Sequence, residues 1–306
     1  MPGGRSEDTV ADQKDIDYHY SPIDRIWKLS VGETADYTNA LYEGDFSLPL
    51  EEAQRRKHEF ILRNLKIGPG ARVLDMGCGW GPLLAFFREK GIKGVGVTLS
   101  SSQVKSCREL GLEVYLEDCR TLQPERFGLF DAVTCVGAME HFCTKDDWRR
   151  GRQDEVYRVF FNTVSRLLPA GGRLYLQTGT VGRKMCDPEK TDIRAGKDSV
   201  EYFAALMERT FPNSWLPAGD DQILRCAAPH FKLISQSNGR LDYVETLGQW
   251  RKRVLKFGLK KYLLYATLIP RYVADKDFRN VMSPFTPAAN KECFAREIMD
   301  HFRMVF

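Results

Sequence analysis

The sequence has no C-x-x-C pair. Its eight cysteines, Cys78, Cys107, Cys119, Cys135, Cys143, Cys186, Cys226 and Cys293, are scattered, which argues against a structural zinc site and leaves no metal ligand set to name. Several fall in stretches that read as strands or core helices, which points to reduced thiols and a cytoplasmic compartment. Long apolar runs are missing as well. The longest, Tyr262 to Pro270, is far too short to cross a bilayer, so any membrane contact is peripheral. Met1 to Lys14 is polar, with no apolar core of a secretory signal, and residues 1–16 read as a disordered tail. Strong charge is also absent. A net charge of +4 is too mild for a nucleic-acid partner. The basic clusters Arg149-Arg150-Gly151-Arg152, Arg251-Lys252-Arg253 and Lys260-Lys261 read as solvated helix faces, or as contacts for an anionic lipid surface or an anionic substrate. There is no internal repeat and no low-complexity tract. No G-x-G-x-x-G with a trailing acid is present, which argues against a dehydrogenase.

What is present is organised around Val73-Leu74-Asp75-Met76-Gly77-Cys78-Gly79-Trp80-Gly81. It reads as a buried strand, Arg72 to Met76, a glycine turn, and a helix from about Pro82 to Lys90. The glycines let the chain bend and let a ligand approach main-chain N–H groups. Asp75 just before the turn would repel a pyrophosphate but suits the ammonium of a methionine moiety, so the turn favours S-adenosylmethionine over a dinucleotide. Further strands are expected at Gly94–Thr98, Leu112–Leu116, Phe130–Val136, Arg173–Thr178 and Phe231–Ser237. Helices are expected at Leu50–Leu65, from Ser100 to Leu110, and over Asp154–Leu168, Ala218–Ala228, Tyr243–Tyr265 and Asn290–Phe306. In the first, Ala53, Phe60, Ile61 and Leu65 face inward and Arg55, Arg56 and Lys57 outward. Strands alternating with helices predict an α/β fold with a parallel sheet. At 306 residues the chain accommodates one large domain from residue 17 onward.

Polar residues at successive strand ends suit a bound nucleoside. Asp118 is placed to accept the adenine amino group, with the N–H of Cys119 or Arg120 on a ring nitrogen. The end of strand two, Thr98-Leu99-Ser100, lacks the usual ribose-binding acid, which leaves Thr98, backbone groups or Gln103 for that role. Glu140 follows strand four. It is either a carboxylate favourable against a helix dipole or a general base and partner to developing positive charge. His141 beside it is a second catalytic candidate or a packed side chain. Tyr20, Tyr37 and Tyr243, with Trp27 and Trp215, are candidates for the pocket wall, where aromatic faces stabilise a sulfonium or a carbocation.

Several pieces resemble the cyclopropane-fatty-acid synthase family, which includes the mycolic acid cyclopropane synthases. They are Val73 to Gly81, Gly94-Val-Gly-Val-Thr-Leu-Ser100 with Gln103, and Gly137-Ala-Met-Glu-His-Phe142. His19-Tyr20, Tyr37 to Glu43, Phe211-Pro212 with Trp215-Leu216-Pro217, and Asp242-Tyr243-Val-Glu-Thr246-Leu247 with Trp250 match too. The resemblance spans residues 19 to about 253. It implies a class I, Rossmann-like methyltransferase fold with a mostly parallel seven-stranded sheet. The core would take residues 60–180 and 218–250, with an acceptor cap from 17–58, 181–217 and 251–306. It implies S-adenosylmethionine as cofactor, with Tyr37 and Thr38 at its methionine end, Gly77 and Gly79 in the loop, and Thr98, Leu99 and Gln103 near the ribose. Adenine contacts would fall at Asp118, Cys119 and Arg120, where this sequence differs from the family's usual Trp-Glu pair. The family's cyclopropane synthases hold a bicarbonate ion on a cysteine, a glutamate and a histidine. Here Glu140 is kept, Asn39 and Gln177 replace the other two, and Gly179 replaces a nearby apolar residue. The resemblance with these departures implies methyl transfer to a hydrophobic, lipid-like acceptor, an unsaturated acyl chain or isoprenoid, methylated on carbon without ring formation. Transfer to oxygen or nitrogen of a small carboxylic acid, phenol or amine is the alternative, and a non-enzymatic binding module is a third, remoter reading.

Overall fold

A computed structural model describes residues 31, 35–211, 213–256, 258–275 and 288–306. The expected tail over 1–16, Tyr20 and Trp27 lie outside these residues. The strands are β1 (Arg72–Met76), β2 (Lys93–Thr98), β3 (Glu113–Leu116), β4 (Ala132–Val136), β5 (Arg173–Val181), β6 (Ser235–Asn238) and β7 (Met299–Val305). They form one sheet in the order β3-β2-β1-β4-β5-β7-β6. The first five run parallel, and β7 pairs antiparallel with both β5 and β6. Helices cover the central strands on both faces, which is why β1 and β4 are almost continuously buried. The Gln153–Leu167 helix buries Tyr157, Phe160, Phe161, Val164 and Leu167 against one face. The Leu50–Leu65 helix and the Pro82–Glu89 helix pack Ile61, Leu65, Leu83 and Phe87 against the other.

The α/β reading and the first five strands match the sequence expectation to within a few residues. The C-terminal stretch does not. In place of the single helix expected over Asn290–Phe306, helix spans only Ala288–Ala295, and Met299–Val305 is a strand. Glu297 at φ +64° stops the helix. Beyond it, polar side chains find specific tertiary partners that only an extended chain can reach. Arg303 is buried and bonds Asp242 at 2.9 Å and the Ala40 carbonyl at 2.7 Å. This strand, from the 251–306 stretch expected in the cap, sits inside the sheet. The expected helix Tyr243–Tyr265 is two helices, Arg240–Leu255 and Leu259–Ala274. The strand expected at Phe231–Ser237 is confined to Ser235–Asn238. Lys57 also departs from expectation. It points inward and is 1 % exposed.

Among the described residues no helix is long and apolar enough to cross a membrane. The Leu259–Ala274 helix does leave Leu259, Leu263, Ile269 and Val273 exposed.

Candidate active site

The tips of β1, β2 and β4 meet where the glycine turn passes under the loop after β4. Gly77 adopts φ +83°, and a Cβ there would lie 2.4 Å from that of Ala138, so only glycine permits this approach. Along these tips runs a cavity of about 140 Å³. Every described cofactor candidate lines it: Tyr37, Thr38, Asp75, Gly77, Gly79, Thr98, Leu99, Gln103, Asp118, Cys119 and Arg120.

Its chemistry divides along its length. At one end the Tyr37 ring stacks on Trp250 at 4.8 Å and meets Trp80 of the glycine turn edge-on at 6.5 Å. Asp75 is buried and accepts the Thr134 hydroxyl at 2.8 Å. Burial pushes its carboxyl up to about 7, with Thr134 and Lys57 opposing. Beside it lies a buried group the sequence reading misses. Lys57 Nζ bonds Asp36 Oδ2 at 2.5 Å and also the Thr38 hydroxyl, which in turn donates to Asp36 Oδ1 at 2.7 Å. His58 Nε2 lies 3.0 Å from Asp36 Oδ2. Burial alone would raise the Asp36 carboxyl, but Lys57 and His58 hold it well below the usual carboxylate range. Ala53, Lys57, Ile61 and Leu65 recur at spacings of four, the spacing of one helix face, and that periodicity marks Lys57 as inward-facing. Midway, the Thr98 hydroxyl donates to Gln103 Oε1 at 2.6 Å. At the far end Asp118 caps the turn Cys119–Thr121 and binds Arg120 three times, Oδ1 taking its backbone N–H and its Nε–H, each at 2.9 Å, and Oδ2 its Nη2–H at 2.5 Å. Carboxylates at one end, a hydroxyl–amide pair in the middle and a mixed polar and apolar far end form a donor set that fits S-adenosylmethionine.

A second cavity, about 130 Å³, adjoins the first. Tyr37, Thr38, Gly137 and His141 line both. Its walls are mostly apolar, including Met185, Met207, Phe211, Trp215, Phe294 and Met299. Glu140, on the turn Met139–His141 after β4, lines it from below. Glu140 Oε1 accepts the Gly179 N–H at 2.6 Å, while Oε2 is buried and takes no hydrogen bond. Burial pushes this carboxyl up to about 7, only partly offset by backbone N–H groups and the Thr178 hydroxyl. His141 bonds Ser214 Oγ through Nδ1 at 2.9 Å, and burial pushes its imidazole down to about 4, so it is neutral at pH 7. Of the aromatics expected in the pocket wall, Tyr37, Tyr243 and Trp215 are there.

Two further residues that the sequence reading misses, His301 and Asn290, also line this cavity. Both come from the stretch that reads as one helix. His301 stands opposite Gly179 in the β5–β7 pairing. Its Nδ1 meets Asn39 Nδ2 at 3.0 Å, and burial holds its pKa well below the usual histidine range.

The model of the mycolic acid cyclopropane synthetase family matches residues 7–262. The chain belongs to that family. Cyclopropane-fatty-acyl-phospholipid synthase of Escherichia coli strain K12 is 34% identical over 211 residues, 67% of this chain and 48% of that protein. Cyclopropane mycolic acid synthase 3 of Mycobacterium tuberculosis is 28% identical over 240 residues, 77% of this chain and 79% of that protein. A solved cyclopropane synthase from Mycobacterium tuberculosis superposes with a TM-score of 0.75 at 20% identity, covering 98% of this chain and 99% of that one. Family membership carries the enzyme class. The chain is an S-adenosylmethionine-dependent methyltransferase.

The sequence reading finds two of the family's three bicarbonate ligands replaced, and the replacements do not suit that ion, because an anion needs free donors. Asn39 Nδ2 is engaged with the Gly239 carbonyl at 2.8 Å and with His301, and Gln177 Nε2 donates to the Asn39 carbonyl at 3.0 Å. The two residues at the cysteine and histidine positions are bonded to each other and to their surroundings rather than left open to an ion.

Proposed function

We propose that this cyclopropane synthetase relative methylates a hydrophobic acceptor held in the second cavity and releases it without closing a ring. When bound, S-adenosylmethionine supplies an electrophilic methyl group on a sulfonium. The observation that supports the reading is the junction at Tyr37, Thr38, Gly137 and His141, where the cofactor cavity opens onto an apolar one containing Glu140. Asp75, Thr98, Gln103 and Asp118 orient the cofactor. The apolar walls hold the acceptor and exclude water, which would otherwise screen the charge on the transferring group. Glu140 takes up the proton or faces the developing positive charge. The cap assignment has its support in the lining, much of which comes from Val181 to Leu216 and from Asn290 to His301.

Among the described lining residues there is no lysine or arginine, so an isoprenoid acceptor would enter this cavity by its neutral chain and not by a diphosphate. Transfer to nitrogen or oxygen rather than carbon is a second reading. It is favoured by the unpartnered Glu140 Oε2, since an amine or hydroxyl brings a donor and an alkene does not.

Trideuteromethyl-labelled cofactor tests the proposal. Product that keeps all three deuteria is expected. Product with two, together with cyclopropane proton signals in the NMR spectrum, would refute it.

A further inference from the structure

We propose that the acceptor is an apolar amine, held through its N–H groups by Glu140 and Asn290 and methylated on nitrogen. This rests on the second cavity being the acceptor site. Two residues that line that one cavity, Glu140 and Asn290, each carry a buried oxygen, Oε2 and Oδ1, with no hydrogen-bond partner. Buried acceptors in native proteins almost always have a donor, so a mostly apolar cavity with two such residues in its wall suits a ligand that brings donors. An alkene brings none and an alcohol brings one. A carboxylate or phosphate would add acceptors and negative charge where acceptors already lack partners.

The surrounding charges point the same way. Glu208, the other lining carboxylate, is paired with Lys145 at 2.8 Å. His141 is held through Nδ1 by Ser214, and His301 through Nδ1 by Asn39. Glu140 is therefore the carboxylate left without a charged partner among the described lining residues, and an ammonium supplies one through a charge-assisted hydrogen bond. The Tyr243 and Phe294 rings, 4.6 Å apart and both in the wall, offer π faces to the cationic product.

The step balances within the cavity. The bound ammonium passes one proton to Glu140 Oε2 and regains its lone pair. The nitrogen attacks the methyl carbon, so an N–C bond forms as the methyl–sulfur bond breaks, and the positive charge moves from sulfur to the methylated nitrogen. The proton on Glu140 leaves to solvent with the product.

Three matched probes test this: N-methyloctylamine, 1-octanol and 1-octene, each with methyl-labelled cofactor. The amine is expected to be labelled with kcat/KM at least about 10-fold above the alcohol, because a site built around a substrate donor strongly rejects analogues lacking it. Asn290→Leu should raise the amine KM about 10-fold or more, and Glu140→Gln should lower its kcat by about 10² or more. Both variants should bind cofactor with unchanged affinity by calorimetry, which shows that they are folded. Preference for octanol or octene, or an amine KM untouched by Asn290→Leu, overturns the amine inference and leaves the hydrophobic-acceptor reading standing. No label on any of the three while cofactor still binds overturns both.

Discussion

The Gly179 N–H donates to Glu140 Oε1 at 2.6 Å, and Gly179 is itself the cross-strand partner of His301. The β5 backbone thus ties down one oxygen of the carboxylate and leaves the other, Oε2, buried without a hydrogen-bond partner. A carboxylate that acts as a base must be ionised, and burial lifts this one to about 7. The rate is therefore expected to rise with pH through about 7 and level off above it. Glu140→Gln should abolish that limb and lower kcat by roughly 10²–10⁴. A pH–rate profile of the two proteins is the check, and an unchanged limb in the variant would rule Glu140 out as the titrating group.

Asp75 gives a stability signature of the opposite sense to an ordinary surface acid. Burial raises its carboxyl to about 7 in the folded protein, against an ordinary value of 3.8. Between those values the folded state holds the extra proton, so raising the pH destabilises it. Asp75→Asn removes the charge while keeping the shape. Relative to wild type, the variant should gain stability as pH rises from about 4 to about 7, by up to about 1.4 kcal/mol for each pH step of one within that window. Urea melts of both proteins at pH 5 and pH 8 measure the difference. The same gap at both values would count against a buried neutral carboxyl.

The Lys57–Asp36 pair is almost fully buried on both sides. Removing one partner strands a charge, so Lys57→Met alone should cost about 3–5 kcal/mol. Combining it with Asp36→Asn should recover much of that loss. Asp36 also orients the Thr38 hydroxyl, so the single variant should weaken cofactor binding as well. A double-mutant cycle with calorimetric cofactor titration reads both effects, and strict additivity would show that the pair is not coupled.

The engaged amides of Asn39 and Gln177 lead to a prediction about the medium. Turnover in carbonate-free buffer under nitrogen should match turnover with added bicarbonate to within about 2-fold, a difference of well under 1 kcal/mol in the barrier. A strong requirement for bicarbonate would place the ion in the site after all.

The glycine turn, the strand-end residues of the cofactor cavity and Glu140 are all legible in the sequence. Their chemistry is local, set by a strand, a tight turn and the first residue after it. Lys57 escapes the reading because a lysine defaults to solvent, although its four-residue spacing from Ala53 and Ile61 points inward. His301 and Asn290 are invisible for a different reason. Asn39 and Gly179 meet His301 only after more than a hundred intervening residues have folded, and no local pattern encodes that meeting. The polar residues of β7 are explained by partners such as Asp242, which sequence periodicity does not register.

Strand β6 is made before β7 yet has β7 as its sheet neighbour, and the edge of β5 stays open until β7 arrives. During synthesis on the ribosome, then, β6 has nothing to dock on, and β5 presents a bare pairing edge to other chains. We expect the nascent chain to remain prone to association through that edge until residues 299–305 emerge and close it, at which moment His301 reaches the wall of the second cavity.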